Sequence, residues 1–477
     1  MQGPHLEANS IGAEHDPSRR QVSDSVDRIA AWAGALEADH VPSAAFALAR
    51  KAFLDTLAVS LSGSRLDSAR IVTALARELA PGSARVDGPC SVIGHSFKTN
   101  VLAAALANGT AAHAELFDDN SEPMMSHPSA SLVSALLPLG QLRGLSGAEV
   151  LLAYVVGFEV NVVLGRQLNP RLYEAGWHVT RTLGVLGATA ACCRLLKLEP
   201  QPFRSALGIA ASMASGLRQN FGTMTMALHA GLTARDAVQA ALLAEKGFLA
   251  DREALDGRYG FFNLFAGAPP AALPLGRPFE LVQSGIIFKP YPSGAPTHAA
   301  VHATLALHAR LRDRLDEVAG IVCLVHPWNF MTLREGFPAD TLRARVSLRY
   351  CVAAALRFGA LGSPQFTDAA LGDPLLRKLM ALIEIRQADD LPDNGLFPAA
   401  VEVRLADGER ARVRCDVPPG APANPLSDAD ADRKYRSCAG VVLDAPTIER
   451  TRAMILGIDR LADVGELCSA LEGGTRP

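Results

Sequence analysis

The sequence predicts a mainly α protein, built as a large all-helical domain with an inserted smaller α+β lid domain. Apolar residues recur at helical spacing through most of the chain up to about residue 266. The proline-rich stretch GAPPAALPLGRP at 267–278 ends this pattern, and short β-branched runs typical of strands follow it. Helical character returns after Pro425, so the last helices are expected to rejoin the first domain.

A chain of 477 residues is too long for one ordinary hydrophobic core, so more than one domain is expected. Residues up to about Val22 are polar and have little apolar surface to bury, which is typical of a flexible arm. The changes of pattern predict an N-terminal arm at 1–22, the first part of the helical domain at 23–277, the α+β lid at 278–420 and rejoining C-terminal helices at 421–477.

The helical domain is predicted from segments rich in alanine and leucine. Alanine has the highest intrinsic helix propensity. Its small side chain also lets neighbouring helices approach closely. Several segments are apolar nearly all round, which predicts burial on every side. The predicted helices are 44–61, 99–113, 128–142, 147–164, 183–198 and 230–246.

The lid is predicted from short β-branched runs and from runs that alternate apolar and polar residues. Two alternating runs flank the sequence ADGER, which is a hairpin signal. Ser427 is expected to cap the first of the C-terminal helices. The predicted strands are 286–288, 320–325, 401–405 and 411–417, and the predicted helices between them are 297–311 and 347–356.

Composition excludes several classes of function. Hydrophobic residues make up 49% of the chain, charged residues 20%, and the formal net charge is -3. These values predict a globular protein with no general attraction for nucleic acid or a membrane surface. Apolar stretches such as 132–142 are far shorter than the roughly 20 residues of a membrane span, and the N-terminus lacks the apolar core of a signal peptide. The eight cysteines show no CxxC spacing, which favours reduced thiols in a cytoplasmic protein.

A dense group of titratable residues lies in HAELFDDNSEPMMSHPS at 113–129. The pattern also fits a solvated acidic loop between two helices. Histidine, however, exchanges protons near neutral pH, and a neighbouring carboxylate can orient it, which favours acid–base chemistry. A metal site is conceivable, but the spacing matches no standard metal motif and none is predicted. The group contains His113, Glu115, Asp118, Asp119, Glu122 and His127.

Two further segments carry candidate chemistry. His178 lies in GWHVT just before an apolar helix, where a core or capping histidine is the alternative interpretation. Lys289 lies in FKPYPSGAPTH at 288–298, where it could hold a carboxylate as a point charge; an interdomain hinge is the alternative. Thr297 is expected to cap the next helix. The absence of dinucleotide, phosphate-loop and serine-nucleophile motifs disfavours hydride and phosphoryl transfer.

Taken in order, the motifs of this chain resemble those of the MmgE/PrpD family. The likeness runs from about Ser23 to the C-terminal helices, and the order and spacing of the motifs are more specific than any one of them. The motifs are AFLDTLAVSLSG near residue 60, FDDN and HPS within 117–129, GFEV at 157–160, GWHVTRTLGVLGA from 176, LHAG at 228–231, FKPYPSG at 288–294, SLRYCVAAAL at 347–356 and NPLSDAD at 424–430.

The resemblance implies an active site between the helical domain and the lid, a homodimer, and a reaction without metal or organic cofactor. It also implies that His127, His178 and Lys289 are catalytic. By the same resemblance, the groups that bind a small carboxylate substrate are Leu116, Asp118, Asp119, Asn120, Met226, Ser293 and a pocket tyrosine, Tyr350.

Three of these positions depart from the family pattern. Leu116, Asn120 and Met226 stand where the family usually has aspartate, threonine and lysine. The site therefore loses one cationic anchor and one acid–base group. We expect a substrate with fewer carboxylates, or a bulkier apolar part, than citrate-like acids.

The function that the resemblance implies is that of a lyase, of the dehydratase or decarboxylase type, which transfers a proton next to a carboxylate. One alternative is an epimerase or isomerase of a small dicarboxylate-type compound such as iminodisuccinate. Another is a catalytically feeble protein that binds its ligand. Among the other histidines, His229 is expected to be structural, whereas the roles of His113 and His298 are left open.

Overall fold

The structure is a computed structural model that describes residues 25–79, 88–333 and 336–473. The predicted N-terminal arm, 1–22, lies outside these residues. Helices dominate the described chain, and strands form one four-stranded sheet and one two-stranded pair. The predicted mainly α class is therefore confirmed.

The helices that precede residue 284 form the first part of what we call the helical unit. They begin with α1 Ser25–Ala35, α2 Ser43–Gly63, α3 Asp67–Glu78, α4 Val101–His113, α5 Pro128–Arg143, α6 Gly147–Leu168 and α7 Arg171–Glu174. They continue with α8 Val179–Thr182, α9 Gly184–Leu195, α10 Pro200–Met213, α11 Met224–Glu245, α12 Phe261–Ala266 and α13 Glu280–Gln283. A short antiparallel pair, β1 Cys90–Ser91 and β2 Lys98–Thr99, packs beside α4.

The sheet unit follows and has its own hydrophobic core. Its helices are α14 His298–Leu311, α15 Pro327–Thr332, α16 Thr341–Ala344, α17 Leu348–Phe358, α18 Asp368–Leu371 and α19 Pro374–Ala381. Its strands are β3 Val318–Val325, β4 Ile383–Gln387, β5 Ala399–Leu405 and β6 Arg410–Cys415. The strand order is β4-β3-β5-β6, in which β3 and β4 run parallel and the other neighbours antiparallel.

The C-terminal helices return to the helical unit. They are α20 Asp428–Ala439, α21 Ala445–Leu456 and α22 Gly465–Ala470. Tyr435, Ile455 and Leu467 are buried in the same core as the side chains of α2, α5 and α6. The sheet unit is thus inserted into the chain of the helical unit.

Helix α6, Gly147–Leu168, is the one helix among the described residues that is long and apolar enough to cross a membrane. However, 89% of its most apolar window is buried inside the protein. Glu149 closes a capping box with Ser146 at the first turn. The helix therefore has the surroundings of a core helix, packed against α2, α5 and α9.

Helix and hairpin patterns were predicted better than isolated strands. The hairpin is confirmed as β5 and β6, and the Ser427 side chain accepts a hydrogen bond from the backbone N–H of Asp430 at 3.1 Å, as a helix cap does. The predicted strand at 286–288 is wrong, because Ile287 forms an isolated bridge with Asn120 instead. The predicted cap at Thr297 is also wrong, since its hydroxyl donates back to the preceding turn.

Two segments connect the units, and they run side by side. The backbone N–H of Phe288, in the first connection, donates to the carbonyl of Gly420, in the second, at 3.0 Å. Gly420 has a φ of 91°, and a Cβ there would lie 1.9 Å from the Phe288 carbonyl oxygen. Lys434 of α20 also donates to the carbonyl of Lys289 at 3.0 Å. The connections therefore form a single hydrogen-bonded crossing.

Helices α4 and α11 approach closely where two glycines meet. A Cβ added to Gly109 would lie 2.8 Å from the Cα of Gly231. A Cβ added to Gly231 would lie 2.3 Å from the carbonyl oxygen of Leu106. The close crossing brings the end of α4, at His113, into the same buried region as His229 of α11.

Replacing Gly231 with alanine is expected to lower the free energy of unfolding by about 1–3 kcal/mol, because the added methyl group must separate α4 and α11. Gly34→Ala is the matched control, since a Cβ on Gly34 in α1 meets no heavy atom within 4 Å. There the smaller entropy of the unfolded chain should raise stability by about 0.4–1 kcal/mol. Urea unfolding measures both changes, and equal stabilities would contradict a tight crossing.

Candidate active site

A cavity of about 650 Å³ lies between the helical unit and the sheet unit. His127 and His178 line it from the helical unit, and His298 lines it from the first residue of α14. Its volume is sufficient for a small organic molecule. The cavity therefore joins residues that are far apart in the chain into one candidate site.

Helix starts position two of these histidines. His127 immediately precedes α5 and has an extended backbone conformation, with Pro128 at the first helical position. His178 occupies the equivalent place before the short helix α8. Proline is suited to a first helical position because the backbone N–H there has no partner inside the helix. The N-terminal end of α5 adds partial positive charge beside His127, which favours a bound anion.

Asp118 joins His113 and His127 beneath the cavity. Its carboxylate lies 2.9 Å from Nδ1 of His113 and 3.3 Å from Nδ1 of His127. Nδ1 of His127 also lies 2.8 Å from the carbonyl oxygen of Asp119. Because both neighbours of this nitrogen are acceptors, Nδ1 carries the proton and Nε2 is the basic nitrogen. His127 is therefore oriented as a carboxylate-supported acid–base group.

A second pair of histidines extends the group. Nδ1 of His178 lies 2.9 Å from Nδ1 of His229, so one ring donates a hydrogen bond to the other. The rings of His113 and His178 stack with centroids 5.7 Å apart, and those of His113 and His127 lie 4.5 Å apart, edge to face. The four imidazoles thus form one connected cluster. His229, expected to be structural, supports His178 from behind.

His127, His178 and His298 are neutral at neutral pH. Burial, partly opposed by Asp118, lowers the pKa of His127 to about 4. Burial and the nearby His113 hold the pKa of His178 well below its usual range. Burial and the charge of Lys289 lower the pKa of His298 to about 3. Each of these rings is therefore a base and becomes an acid when it takes up a proton.

Lys289 lies under the cavity and not on its surface. Its side chain is fully buried, and Nζ donates to the carbonyl of Leu116 at 2.9 Å. Burial, opposed by Asp118, lowers the pKa of Lys289 to about 8, so the ammonium stays charged at neutral pH. Asp118 is also ionised: burial alone would raise its pKa, but His113 and His127 hold it well below its usual range. Lys289 and Asp118 thus nearly balance each other.

The paired carboxylates of the FDDN motif differ in charge. Asp119 accepts a hydrogen bond from the backbone N–H of Ser129 at 3.2 Å and another from its hydroxyl. The same hydroxyl lies 2.6 Å from the Tyr154 hydroxyl. Burial, opposed by the Ser129 hydrogen bond, raises the pKa of Asp119 to about 8, so Asp119 is protonated at neutral pH. Asp119 supports the start of α5 and does not line the cavity.

An apolar wall forms one side of the cavity. We use this name for Leu116, Phe221, Met226 and Val346, which pack together and all line the cavity. Leu116 has a left-handed backbone, with a φ of 55°, which leucine rarely adopts. This conformation accompanies the contact of its carbonyl with Lys289. Asn120, next to the wall, also lines the cavity and pairs through its backbone with Ile287.

Tyr350 and Ser293, like Asp118 and Asp119, were predicted to bind substrate but do not line the cavity. Tyr350 is buried in the core of the sheet unit, and its hydroxyl donates to the carbonyl of Gln365. Ser293 is fully buried, with its hydroxyl 2.8 Å from that of Thr297. Its carbonyl lies 3.2 Å from Nε2 of His298 and so orients that ring. Ser293 is therefore a positioning residue, and it does not line the cavity.

The sequence did not single out several residues of the cavity. Phe221 contacts the His178 ring edge to face at a centroid distance of 4.9 Å. Arg166 of α6 and Tyr173 of α7 also line the cavity. His298 differs from these residues, because the sequence places it beside the proline-rich turn that follows Lys289. No sequence motif marks Phe221 or Tyr173 as a residue of the cavity.

Ligand atoms of His113, Asp118 and His127 lie within 4.8 Å of one another, close enough to share a metal ion. Both histidine Nδ1 atoms, however, already face the Asp118 carboxylate at hydrogen-bond distances. A carboxylate between two imidazole N–H groups is satisfied without an ion. The geometry therefore fits proton transfer directly.

Comparison with known proteins places these features in a family. The MmgE/PrpD N-terminal domain matches residues 27–273, and the MmgE/PrpD C-terminal domain matches residues 291–460. Cis-aconitate decarboxylase of Homo sapiens is 31% identical over 391 residues, which cover 78% of this chain and 80% of the relative. The mouse protein of the same name is 27% identical, over 92% of this chain and 91% of its own. An Aspergillus terreus cis-aconitate decarboxylase is 26% identical, over 94% and 96%.

The names of these relatives support an interpretation of the chain as an enzyme of the lyase class. The family matches cover most of both the helical unit and the sheet unit. The chain belongs to the MmgE/PrpD family.

Proposed function

We propose that this protein is a decarboxylase that removes carbon dioxide from a small unsaturated carboxylic acid without an organic cofactor. The observation that carries the proposal is His127, whose Nδ1 is held by Asp118 and the Asp119 carbonyl while its ring lines the cavity. The decarboxylase names of the relatives support this choice among lyase reactions. Homodimer formation, which the family resemblance implies, and a cytoplasmic location, which the cysteine pattern favours, remain predictions.

The reaction needs one proton and a place for one electron pair. The bond between the leaving carboxylate and its carbon breaks, and carbon dioxide departs. The electron pair of the broken bond forms a new double bond to the next carbon. The electron pair of the original double bond then takes up a proton at its far carbon. A protonated His127 or His178 donates that proton, and solvent restores it after product leaves. The buried ammonium of Lys289 stabilises negative charge that develops above it.

Binding of the substrate favours protonation of a histidine. Lys289 and Asp118 nearly balance each other, and burial keeps the pKa of His127 low, so that this ring is neutral at neutral pH. A bound carboxylate adds a negative charge, which favours the imidazolium form of a neighbouring ring. Substrate binding therefore converts His127 from a base into an acid at the moment it is needed.

Binding of a carboxylate ligand near pH 7 is expected to take up a proton, at most about one per site. The pKa of His127 rises from about 4 towards neutrality when the anion binds, so affinity should increase as the pH falls from 8 to 5. Below pH 4 the uptake should vanish, because the ring is already protonated. Isothermal titration calorimetry in buffers of different ionisation enthalpy measures the uptake.

The control for this measurement is His127→Asn, which should abolish most of the uptake. An observed heat that is the same in every buffer for the wild-type protein would contradict coupled protonation. Such a result would leave the site without a proton donor at neutral pH.

The proposed activity is tested by proton NMR in D₂O together with detection of released carbon dioxide. The substrates are cis-aconitate and related β,γ-unsaturated acids. Decarboxylation should release carbon dioxide and place one deuterium on the far carbon of the former double bond. Deuterium exchange without loss of carbon dioxide would instead identify an epimerase or isomerase. Loss of water would identify a dehydratase, and tight binding without any change would identify a binding protein.

A further inference from the structure

The cavity offers few groups that can bind several carboxylates. Among its described lining residues, the side chains with a fixed charge are Arg166, Glu122 and Asp393. Two acids and one base give the lining a net negative contribution. A tricarboxylate would therefore meet more repulsion than attraction on this surface.

Arg166 is not free to neutralise a substrate. Its Nε and one terminal nitrogen hold the Glu280 carboxylate at 3.1 and 2.9 Å, and that terminal nitrogen also donates to the Ser284 hydroxyl at 2.7 Å. A bidentate pair of this kind is the strongest arrangement available to arginine. The charge of Arg166 is therefore already compensated by the buried Glu280 carboxylate, so a substrate carboxylate that hydrogen-bonds to Nη1 would gain little net attraction.

The remaining positive charge suits a single carboxylate. Lys289 lies beneath Leu116, near enough to His127 and His298 to lower the pKa of both. Lys434, the other buried lysine nearby, is already paired with Asp55 at 2.6 Å. The ammonium of Lys289, already offset by Asp118, and the N-terminal end of α5 can together favour at most one substrate carboxylate beside the histidines.

The rest of the pocket is apolar or neutral. Leu116, Phe221, Met226 and Val346, the apolar wall, present hydrocarbon and sulfur where an anion would lose its hydration without compensation. Asn120 lies beside the wall, and its side-chain oxygen is buried with no hydrogen-bond partner among the described residues. A neutral amide can bind a hydroxyl or an amide group but supplies no charge.

We propose that the substrate is a mono- or dicarboxylic acid that bears an alkyl or aryl group, which packs against the apolar wall in place of a further carboxylate. The inference rests on the proposed decarboxylase function for its chemistry, but the preference itself concerns binding. One carboxylate lies beside His127 above Lys289, and the apolar group lies between Met226 and Phe221. The substrate class therefore differs from that named for the relatives.

The test compares acids that share one carbon skeleton. Cis-aconitate carries a carboxylate on its central carbon, 3-methylglutaconate carries a methyl group there, and 3-phenylglutaconate carries a phenyl ring. Calorimetric binding should be at least about tenfold tighter for one of the substituted acids than for cis-aconitate, since an apolar pocket discriminates by this order. Met226→Lys should reduce or invert the ratio of the two affinities, substituted acid over cis-aconitate, because it places a cation in the apolar wall. Met454→Lys, in α21 outside the cavity, adds the same charge and should leave the ratio unchanged.

Each outcome decides the proposal. The proposed substrate class would be overturned if the wild-type protein bound cis-aconitate more tightly than the substituted acids. It would also be overturned if Met226→Lys left the ratio of these affinities unchanged. If Met226→Lys does not fold, the wild-type ratio alone still decides. Carbon dioxide release, measured separately, distinguishes the two proposals. The expected binding preference without release would refute the decarboxylase and keep the substrate class. Faster release of carbon dioxide from cis-aconitate than from the substituted acids would keep the decarboxylase and refute the substrate class.

Discussion

Replacing His127 with asparagine is expected to lower kcat by roughly 10²–10⁴-fold, the usual contribution of a positioned acid–base group. Asparagine can still donate a hydrogen bond to the Asp119 carbonyl, which His127 contacts at 2.8 Å, so the loop should keep its conformation. The variant should bind a carboxylate ligand but fail to protonate the intermediate. Steady-state kinetics on the best substrate of the acid panel measures the loss.

The matched control is His40→Asn, because the His40 side chain is 65% exposed and belongs to a surface turn. Its kcat should equal that of the wild-type protein. A His127→Asn variant that keeps more than about a tenth of wild-type kcat would show that another group donates the proton, since general acid–base catalysis contributes more than this. His178→Asn would then identify whether the second imidazole is that group.

Replacing Asp118 with asparagine is expected to impair both stability and catalysis. The amide cannot accept strong hydrogen bonds from both His113 and His127, and its N–H₂ group would force one imidazole into the other tautomer. It also leaves buried Lys289 without its compensating charge. Removing one member of a buried charged group costs about 3–5 kcal/mol of stability. We expect kcat to fall by at least about 10²-fold, because the basic nitrogen of His127 is no longer fixed.

The pH dependence of this variant is a separate check. The pKa of Asp118 is lowered by folding, so its contribution is fully present above about pH 4, the ordinary value for aspartate. The contribution is lost as the pH falls through the lowered pKa. The difference in stability between wild type and Asp118→Asn should stay constant from about pH 5 to pH 7 and shrink in acid. Asp432→Asn, which breaks a half-buried pair with Arg452, is the control and should leave kcat unchanged.

Much of the fold could be predicted because long helices repeat the same spacing of apolar residues over many turns. The alanine-rich segments of α2, α4 and α6 gave helix limits within a few residues of those observed. Strand β4, Ile383–Gln387, escaped prediction because its sequence IEIRQ is short and its charged side chains are exposed at the edge of the sheet. The segment 286–288 has strand-like residues, but it meets a loop at Asn120 and not a strand, so it forms one bridge.

The candidate site was predictable where one motif holds several chemical groups. His127, Asp118 and His113 come from a single short segment, so their proximity follows from the sequence. Tyr350 could not be placed in the same way, because its position depends on which face of α17 meets the core of the sheet unit. Lys289 was expected to hold a carboxylate directly, whereas its Nζ contacts a backbone carbonyl beneath the floor. Side-chain depth depends on packing between distant segments, which one sequence does not display.

The paired connections at Phe288 and Gly420 have a mechanical consequence for access to the cavity. Sliding of these two connections past each other would break the hydrogen bond that joins them, so a movement of the sheet unit that keeps this bond would be a rotation about the crossing. His127 and His178 belong to the helical unit, whereas His298 belongs to the sheet unit. Such a rotation would change the width of the cavity while His127 and His178, which both belong to the helical unit, keep their mutual distance. The acid–base group needs no reassembly in each turnover.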